Sequence, residues 1–283
     1  NDLIIGGEGA DSQIGGEGDD TLVVDSAEDV IEGGDGTDLV ESSVDFILGD
    51  DVENLILTGE AISGTGNSLD NEISGNEMDN TLEGADGTDL LTGGAGNDVY
   101  IVDAFDLDIV ENEDEGTDLV ISDSDHVLVD NVENLILNGE TATTGTGNSL
   151  ANEITGNSLD NILSGLEGDD ILSGGEGADS LVGGAGADSL IGGAGADTLV
   201  VDDSDLEIDG GDDVDEVVSE SDIDLTDGRF TSVENITLAD VYVTDEESGE
   251  EVLSEIQPIS ATGDSLANII IGNLAANSLS GGD

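Results

Sequence analysis

Aspartate returns every nine residues along much of this chain. Asp170, Asp179, Asp188 and Asp197 stand in phase, each two residues after a glycine and two before a leucine. Asp2, Asp11, Asp20, Asp89 and Asp98 hold the same place in further units, and Asp38, Asp118 and Asp215 hold it in degenerate or isolated ones, where a solvated turn competes with a ligand role. A carboxylate set in a tight glycine-rich turn has one evident chemistry. The turn aims backbone carbonyl oxygens inward, the carboxylate adds its own, and an all-oxygen set suits a hard cation.

The elements that must position these carboxylates are legible in residues 165–200, which read GLEGDDILS, GGEGADSLV, GGAGADSLI, GGAGADTLV. Each unit has Gly at positions one and four, Asp at six and Leu at eight. So short a fixed period means a solenoid, one small unit stacked on the next. The glycines permit positive φ and hence a six-residue turn. The last three residues are extended and place one leucine inward: Leu163, Leu172, Leu181, Leu190, Leu199. No stretch has a convincing helical period.

The register runs through residues 1–41, resumes at 66–101 and 147–218, and returns at 263. Gln13 falls at an inward position, so its rung is expected to be strained or wet. The interruptions repeat as well. GTDLV and VENLIL recur eighty residues apart (36–40 and 116–120; 52–57 and 132–137), with a weaker VENITL at 233–238. Three modules follow: 1–65 (repeats 1–41, long-rung segment 42–65), 66–146 (repeats 66–101, long-rung segment 102–146) and 147–262 (repeats 147–218, long-rung segment 219–262). Residues 263–283 start a further run. The alternation in VENLILTG suits half-buried strands in the same stack. A second kind of nonapeptide carries Leu, Met or Ala at position four and Asn at six: Asn71, Asn80, Asn152, Asn161, Asn268, Asn277. A neutral amide stacks without a counter-ion, so these rungs are expected to be cation-free spacers.

The unit resembles the G-G-x-G-x-D-x-U-x nonapeptide of the RTX, or haemolysin-type, calcium-binding repeat family, closely in the Gly/Asp rungs and loosely in the Asn rungs. The resemblance implies an all-β, right-handed parallel β-roll or β-solenoid with two nonapeptides per coil. It implies several bound Ca²⁺ ions. It also implies carbonyl ligands from turn glycines such as Gly175, Gly177, Gly184, Gly186, Gly193 and Gly195. On an eighteen-residue coil Asp170 should stack on Asp188, Asp179 on Asp197 and Asp2 on Asp20. Coils about 4.8 Å apart would leave two bare carboxylates repelling by about 3 kcal/mol at an effective dielectric near 20. A divalent ion between them reverses the sign, so the fold is expected to depend on calcium.

Composition narrows the function. Acidic residues number 71 against one basic residue, Arg229, for a net charge of −70. That argues against nucleic acid and anionic membrane as direct partners, and no apolar run is long enough for a membrane span. An acidic chain is often disordered, but here the acids are periodic and 36% of residues are apolar. Aromatics are only 2%, which favours thin aliphatic cores; Tyr100, Tyr242, Phe46, Phe105 and Phe230 are expected to be core or rung-closing residues. Cysteine is absent, so another staple is needed, and extracellular calcium would serve. Both ends cut through a unit, as expected of a piece of a longer array.

Enzyme chemistry finds little footing. His126 is the sole histidine and is expected at the surface, and no triad can be built without a partner for it. The repeat already explains the carboxylate pairs. The run DDSDLEIDGGDDVDE (202–216) lacks the ligand spacing and flanking helices of an EF-hand. The reading is therefore a non-enzymatic, calcium-stabilised structural protein, extracellular or on a bacterial cell surface. It would be a stiff spacer or building block of a surface layer, fibre, matrix or large adhesin, with self-association end to end or further repeats of the same parent chain. The resemblance also allows an alternative, the calcium-triggered folding and secretion module of a type I-secreted enzyme or toxin.

Overall fold

A nonapeptide offers one inward apolar side chain, too little to bury alone, so each unit is stable only against its neighbours. The computed structural model describes residues 1–283 apart from 105–107, 220, 240–241, 245–250, 254–259, 275–276 and 283, and gives backbone only for 242–244 and 251–253. The described residues form strands and no helix, so none that could cross a membrane. They make two compact units, Asn1–Thr141 and Ala142–Asp283. Each is a parallel β-solenoid.

In the second unit, alternate nonapeptides feed two parallel sheets. Ile162–Glu167, Ser180–Ala185, Thr198–Val201 and Glu216–Ser219 pair in one, placing Leu163, Leu181, Leu199 and Val217 in line. Glu153–Thr155, Ile171–Glu176, Ser189–Ala194 and Glu207–Asp212 pair in the other, lining up Ile154, Leu172, Leu190 and Ile208. All eight side chains are fully buried. Glycine is required at the turns. Gly193 and Gly195 have φ of 111° and 135°, and a Cβ on either would strike the carbonyl oxygen of Gly175 or Gly177 one coil earlier.

The first unit repeats the plan. One parallel sheet lines up Ile4, Leu22, Val40, Leu55, Ile73, Leu91 and Ile109. Another lines up Gly64, Leu82, Tyr100, Val120 and Leu135. The VENLIL strands Asn54–Leu57 and Asn134–Leu137 therefore lie in the same stack as the nonapeptides. The interruptions alter coil length in both directions. Val40 pairs with Leu55 and Val120 with Leu135, fifteen residues on in place of eighteen, whereas Tyr100 pairs with Val120, twenty residues on.

Several single residues refine the sequence reading. Gln13 is buried, its Nε2 donates to the Val23 carbonyl at 2.9 Å, and its Oε1 has no partner among the described residues. His126 is not at the surface: it is 4% exposed, with both ring nitrogens lacking a hydrogen-bond partner among the described residues. It fills the place that Phe46 has eighty residues earlier, so packing decides its burial, and desolvation lowers its pKa. Tyr100 and Phe230 are buried and Phe46 is half-buried; Phe105 and the Tyr242 side chain lie outside the described residues. Arg229 pairs with Asp227 at 2.9 Å and lies over the Phe230 ring.

Candidate metal centre

The position-six aspartates sit where turn becomes strand, two residues before the buried leucine, and the stack buries them with it. The Asp170 N–H donates to Asp188 Oδ1 at 2.8 Å, and that of Asp179 to Asp197 Oδ1 at 2.8 Å. Asp197 donates likewise to Asp215, Asp2 to Asp20, Asp20 to Asp38 and Asp98 to Asp118. The eighteen-residue pairs expected from sequence are thus brought together, and Asp98 meets Asp118 across twenty. Asp11 donates to Asp29 Oδ1 at 2.9 Å, and Asp89 accepts from the Asn71 N–H at 2.6 Å.

One carboxylate oxygen is therefore spent on the preceding coil. The second oxygen turns toward the first glycine of its own unit. A Cβ on Gly174 would collide with Asp179 Oδ2 and lie 2.6 Å from the Gly192 carbonyl oxygen; Gly165 stands in the same relation to Asp170 and Gly183. The Oδ2 atoms of Asp11, Asp20, Asp38, Asp98, Asp170, Asp179, Asp188, Asp197 and Asp215 are buried with no hydrogen-bond partner among the described residues. A buried acceptor with no donor is costly. Here it lies among further acceptors, a donor set that fits a hard cation such as Ca²⁺. Asp2 is exposed. Of the expected glycine ligands, the carbonyls of Gly175, Gly177 and Gly193 lie against turn glycines of the next coil, and Gly184, Gly186 and Gly195 hold the positive φ that shapes the turn.

Electrostatics agrees. Desolvation, with the Asp188 carboxylate adding to it, pushes Asp170 up to about 6; desolvation and then Asp197 push Asp179 up to about 6. Desolvation likewise raises Asp118, Asp205 and Asp215 to about 6, and raises Asp38, Asp98, Asp188 and Asp197.

Sequence reasoning missed several members of the ladder. Glu53, Glu133 and Glu234 each present Oε2 to the N–H of Asp38, Asp118 and Asp215, at 2.8, 2.8 and 3.0 Å. Their longer side chains replace aspartate where the glycine turn is absent. A signal existed: each stands two residues before a buried apolar residue, Leu55, Leu135 or Ile236, as Asp170 stands before Leu172. Asp29 stands two residues before the half-buried Ile31, and Asp205 accepts from the Asp188 N–H at 3.3 Å. A second row uses position five: Asp70, Asp79, Asp160 and Asp169 accept the N–H of Thr88, Asn97, Ala178 and Ala187.

The Asn rungs close on themselves. Asn152 Oδ1 accepts the Asn148 N–H at 2.8 Å, and Asn161 Oδ1 accepts that of Asn157 at 2.8 Å. The position-two Asn caps the turn, Asn157 Oδ1 accepting from the Leu159 N–H. Asn71 Nδ2 donates to the Glu53 carbonyl at 3.0 Å. These rungs do not stack on one another. The N–H groups of Asn71, Asn80, Asn152 and Asn161 donate to Asp89, Asp98, Asp170 and Asp179, so a neutral rung lies against a charged one.

The model of one protein family, the RTX calcium-binding nonapeptide repeat (4 copies), matches residues 1–13, 14–44, 65–100, 146–181, 155–190 and 173–205. The matches take in Asn rungs as well as Gly/Asp rungs. A search of curated proteins finds no match. Nine-residue period, parallel coils, buried carboxylates facing glycine turns and repeated family matches converge: the chain belongs to the RTX calcium-binding nonapeptide repeat family.

Proposed function

We propose that this calcium-binding repeat protein serves as a calcium-stiffened, non-catalytic spacer or building block outside a bacterial cell, in a surface layer, fibre, matrix or large adhesin. The observation that carries the reading is the row of buried Oδ2 atoms beside turn carbonyls, with no hydrogen-bond partner among the described residues. Asp11, Asp20, Asp38, Asp98, Asp170, Asp179, Asp188, Asp197 and Asp215 would hold Ca²⁺ in that row, joined by Asp89, whose Oδ2 faces Gly84, the first glycine of its own unit. Calcium would supply charge neutralisation and a cross-link between coils, and a stack so linked is stiff. In this reading the three sequence modules are successive copies of one mechanical part, and the chain continues end to end with further repeats or with copies of itself.

Circular dichroism during calcium titration, followed by chelation, tests the core of the reading. Strand signal should rise cooperatively with calcium and collapse when chelator is added. A signal indifferent to chelator would refute ion dependence. The same orphaned carboxylates favour a second reading, a secretion module that stays unfolded at low cytosolic calcium and folds outside. Electron microscopy of the calcium-loaded chain separates the two, since filaments support the building block and isolated monomers at high concentration support the folding module.

A further inference from the structure

In the first unit the run of nonapeptides at 66–101 ends on Asp98, and the coil that follows is two residues longer than its predecessors, with Tyr100 beside Val120. The lengthened coil brings in a carboxylate that belongs to no nonapeptide. One carboxylate oxygen each from Asp98, Glu111 and Asp118 lies within 4.8 Å of the other two. Asp98 and Asp118 are 1% exposed and Glu111 is 7% exposed. Their hydrogen bonds are partly accounted for. Asp118 Oδ1 accepts the Asp98 N–H at 2.8 Å; the Tyr100 hydroxyl donates to Glu111 Oε1 and accepts the Gly93 N–H at 2.7 Å. Asp98 Oδ2 and Glu111 Oε2 remain buried with no partner among the described residues. The first unit contains no Arg or Lys, the one such residue of the chain being Arg229.

We propose that Asp98, Glu111 and Asp118 form a Ca²⁺ site of a different kind from the other repeat turns, sharing Asp98 with the last turn of the run, built from three carboxylates and flanked by the Tyr100 hydroxyl. A repeat turn offers one carboxylate among carbonyl dipoles, or two where the ion bridges stacked coils. This site offers three, and ligand charge count raises affinity for a hard cation. It therefore fills at lower calcium than the turns and pins the lengthened coil first. It goes beyond the spacer reading and stands without it.

Tyr100 makes the site directly observable. The chain has no Trp and two Tyr, Tyr100 and Tyr242. In a Tyr242→Phe background, terbium emission sensitised by tyrosine reports an ion beside Tyr100. Titrating that chain with Tb³⁺ should give saturable emission that is complete before the strand signal is, and calcium should displace it. Glu111→Gln, nearly isosteric, should weaken terbium about tenfold or more while circular dichroism in calcium keeps the strand signal of the parent. Unchanged emission in Glu111→Gln would assign the ion to the Asp98 turn and overturn the proposal. Should that variant not fold, the parent decides: absence of sensitised emission at saturating Tb³⁺ overturns the site. Calcium-dependent strand signal without emission would sink this site and leave the repeat turns as binders.

Discussion

Asp188 divides its work between two oxygens. Oδ1 accepts the Asp170 N–H at 2.8 Å, and Oδ2 faces Gly183 with no partner among the described residues. Asp188→Asn keeps the acceptor, removes the buried charge and supplies an amide where the Asn rungs already use one. Metal-free stability should rise by about 1–3 kcal/mol, while the calcium-induced gain in stability shrinks. Thermal melts with and without chelator measure both. An unchanged melt in chelator would mean that the charge is not what destabilises the ion-free coil. At this scale the sequence was informative for the paired aspartates, because a strict period fixes which residues stack. It marked Glu53, Glu133 and Glu234 only by their spacing to a buried apolar residue, because they enter through coils that lack the glycine turn. It misplaced His126, because a lone residue type carries no sign of which way it faces; the earlier copy, with Phe46 at the same place, did carry one.

At the scale of one rung, the two nonapeptide types solve the same problem differently. A Gly/Asp rung leaves a carboxylate oxygen open, and an Asn rung ties its side-chain oxygen to the N–H at position two. Asn152→Asp retains the acceptor, loses the amide donor and sets a second charge against Asp170. Leu150 at position four cannot easily adopt the backbone of glycine, so no full turn site replaces what is lost. Metal-free stability should fall by about 1–3 kcal/mol, with incomplete recovery in calcium; a melt equal to that of the parent in chelator would show that the neutral amide is not what closes these rungs. The two rung types could be separated by reading position four and position six together. Their alternation, neutral against charged, could not, since it depends on where eighteen-residue coils fall after each interruption. The fifteen-residue coils were hidden for the same reason: VENLIL reads as a strand, but only pairing reveals how much chain is used to reach it.

For the whole molecule, charge sets the pH response. Asp118, Asp170, Asp179, Asp205 and Asp215 have values near 6 in the fold against an ordinary 3.8. Between about pH 4 and 6 the folded chain thus holds protons that the unfolded chain releases, and stability falls as pH rises through that window. In chelator, strand signal should grow as pH drops from 7 toward 5. In calcium the same protons compete with the ion, so the calcium midpoint should move to higher concentration as pH drops. Titrations at several pH values check both trends, and a chelated chain that loses strand signal on acidification would contradict the assignment. Parallel strands and apolar rows followed from the period because every unit repeats the same demand; the extent of carboxylate burial did not, because it depends on how closely coils settle.

In the row from Asp170 to Asp215, the buried amide of each position-six aspartate is sealed by a side chain of the coil that follows it, whereas the outer amides of Ala178 and Ala187 are capped by Asp160 and Asp169 of the coil before. The stack consequently has a sense, like the pile of a brush. Peeling the trailing coil bares a buried aspartate amide, whereas peeling the leading coil bares a buried carboxylate oxygen together with the outer amides that the position-five row had capped. The two ends of such a stack are therefore chemically unlike, and fraying from one end uncovers different groups from fraying at the other.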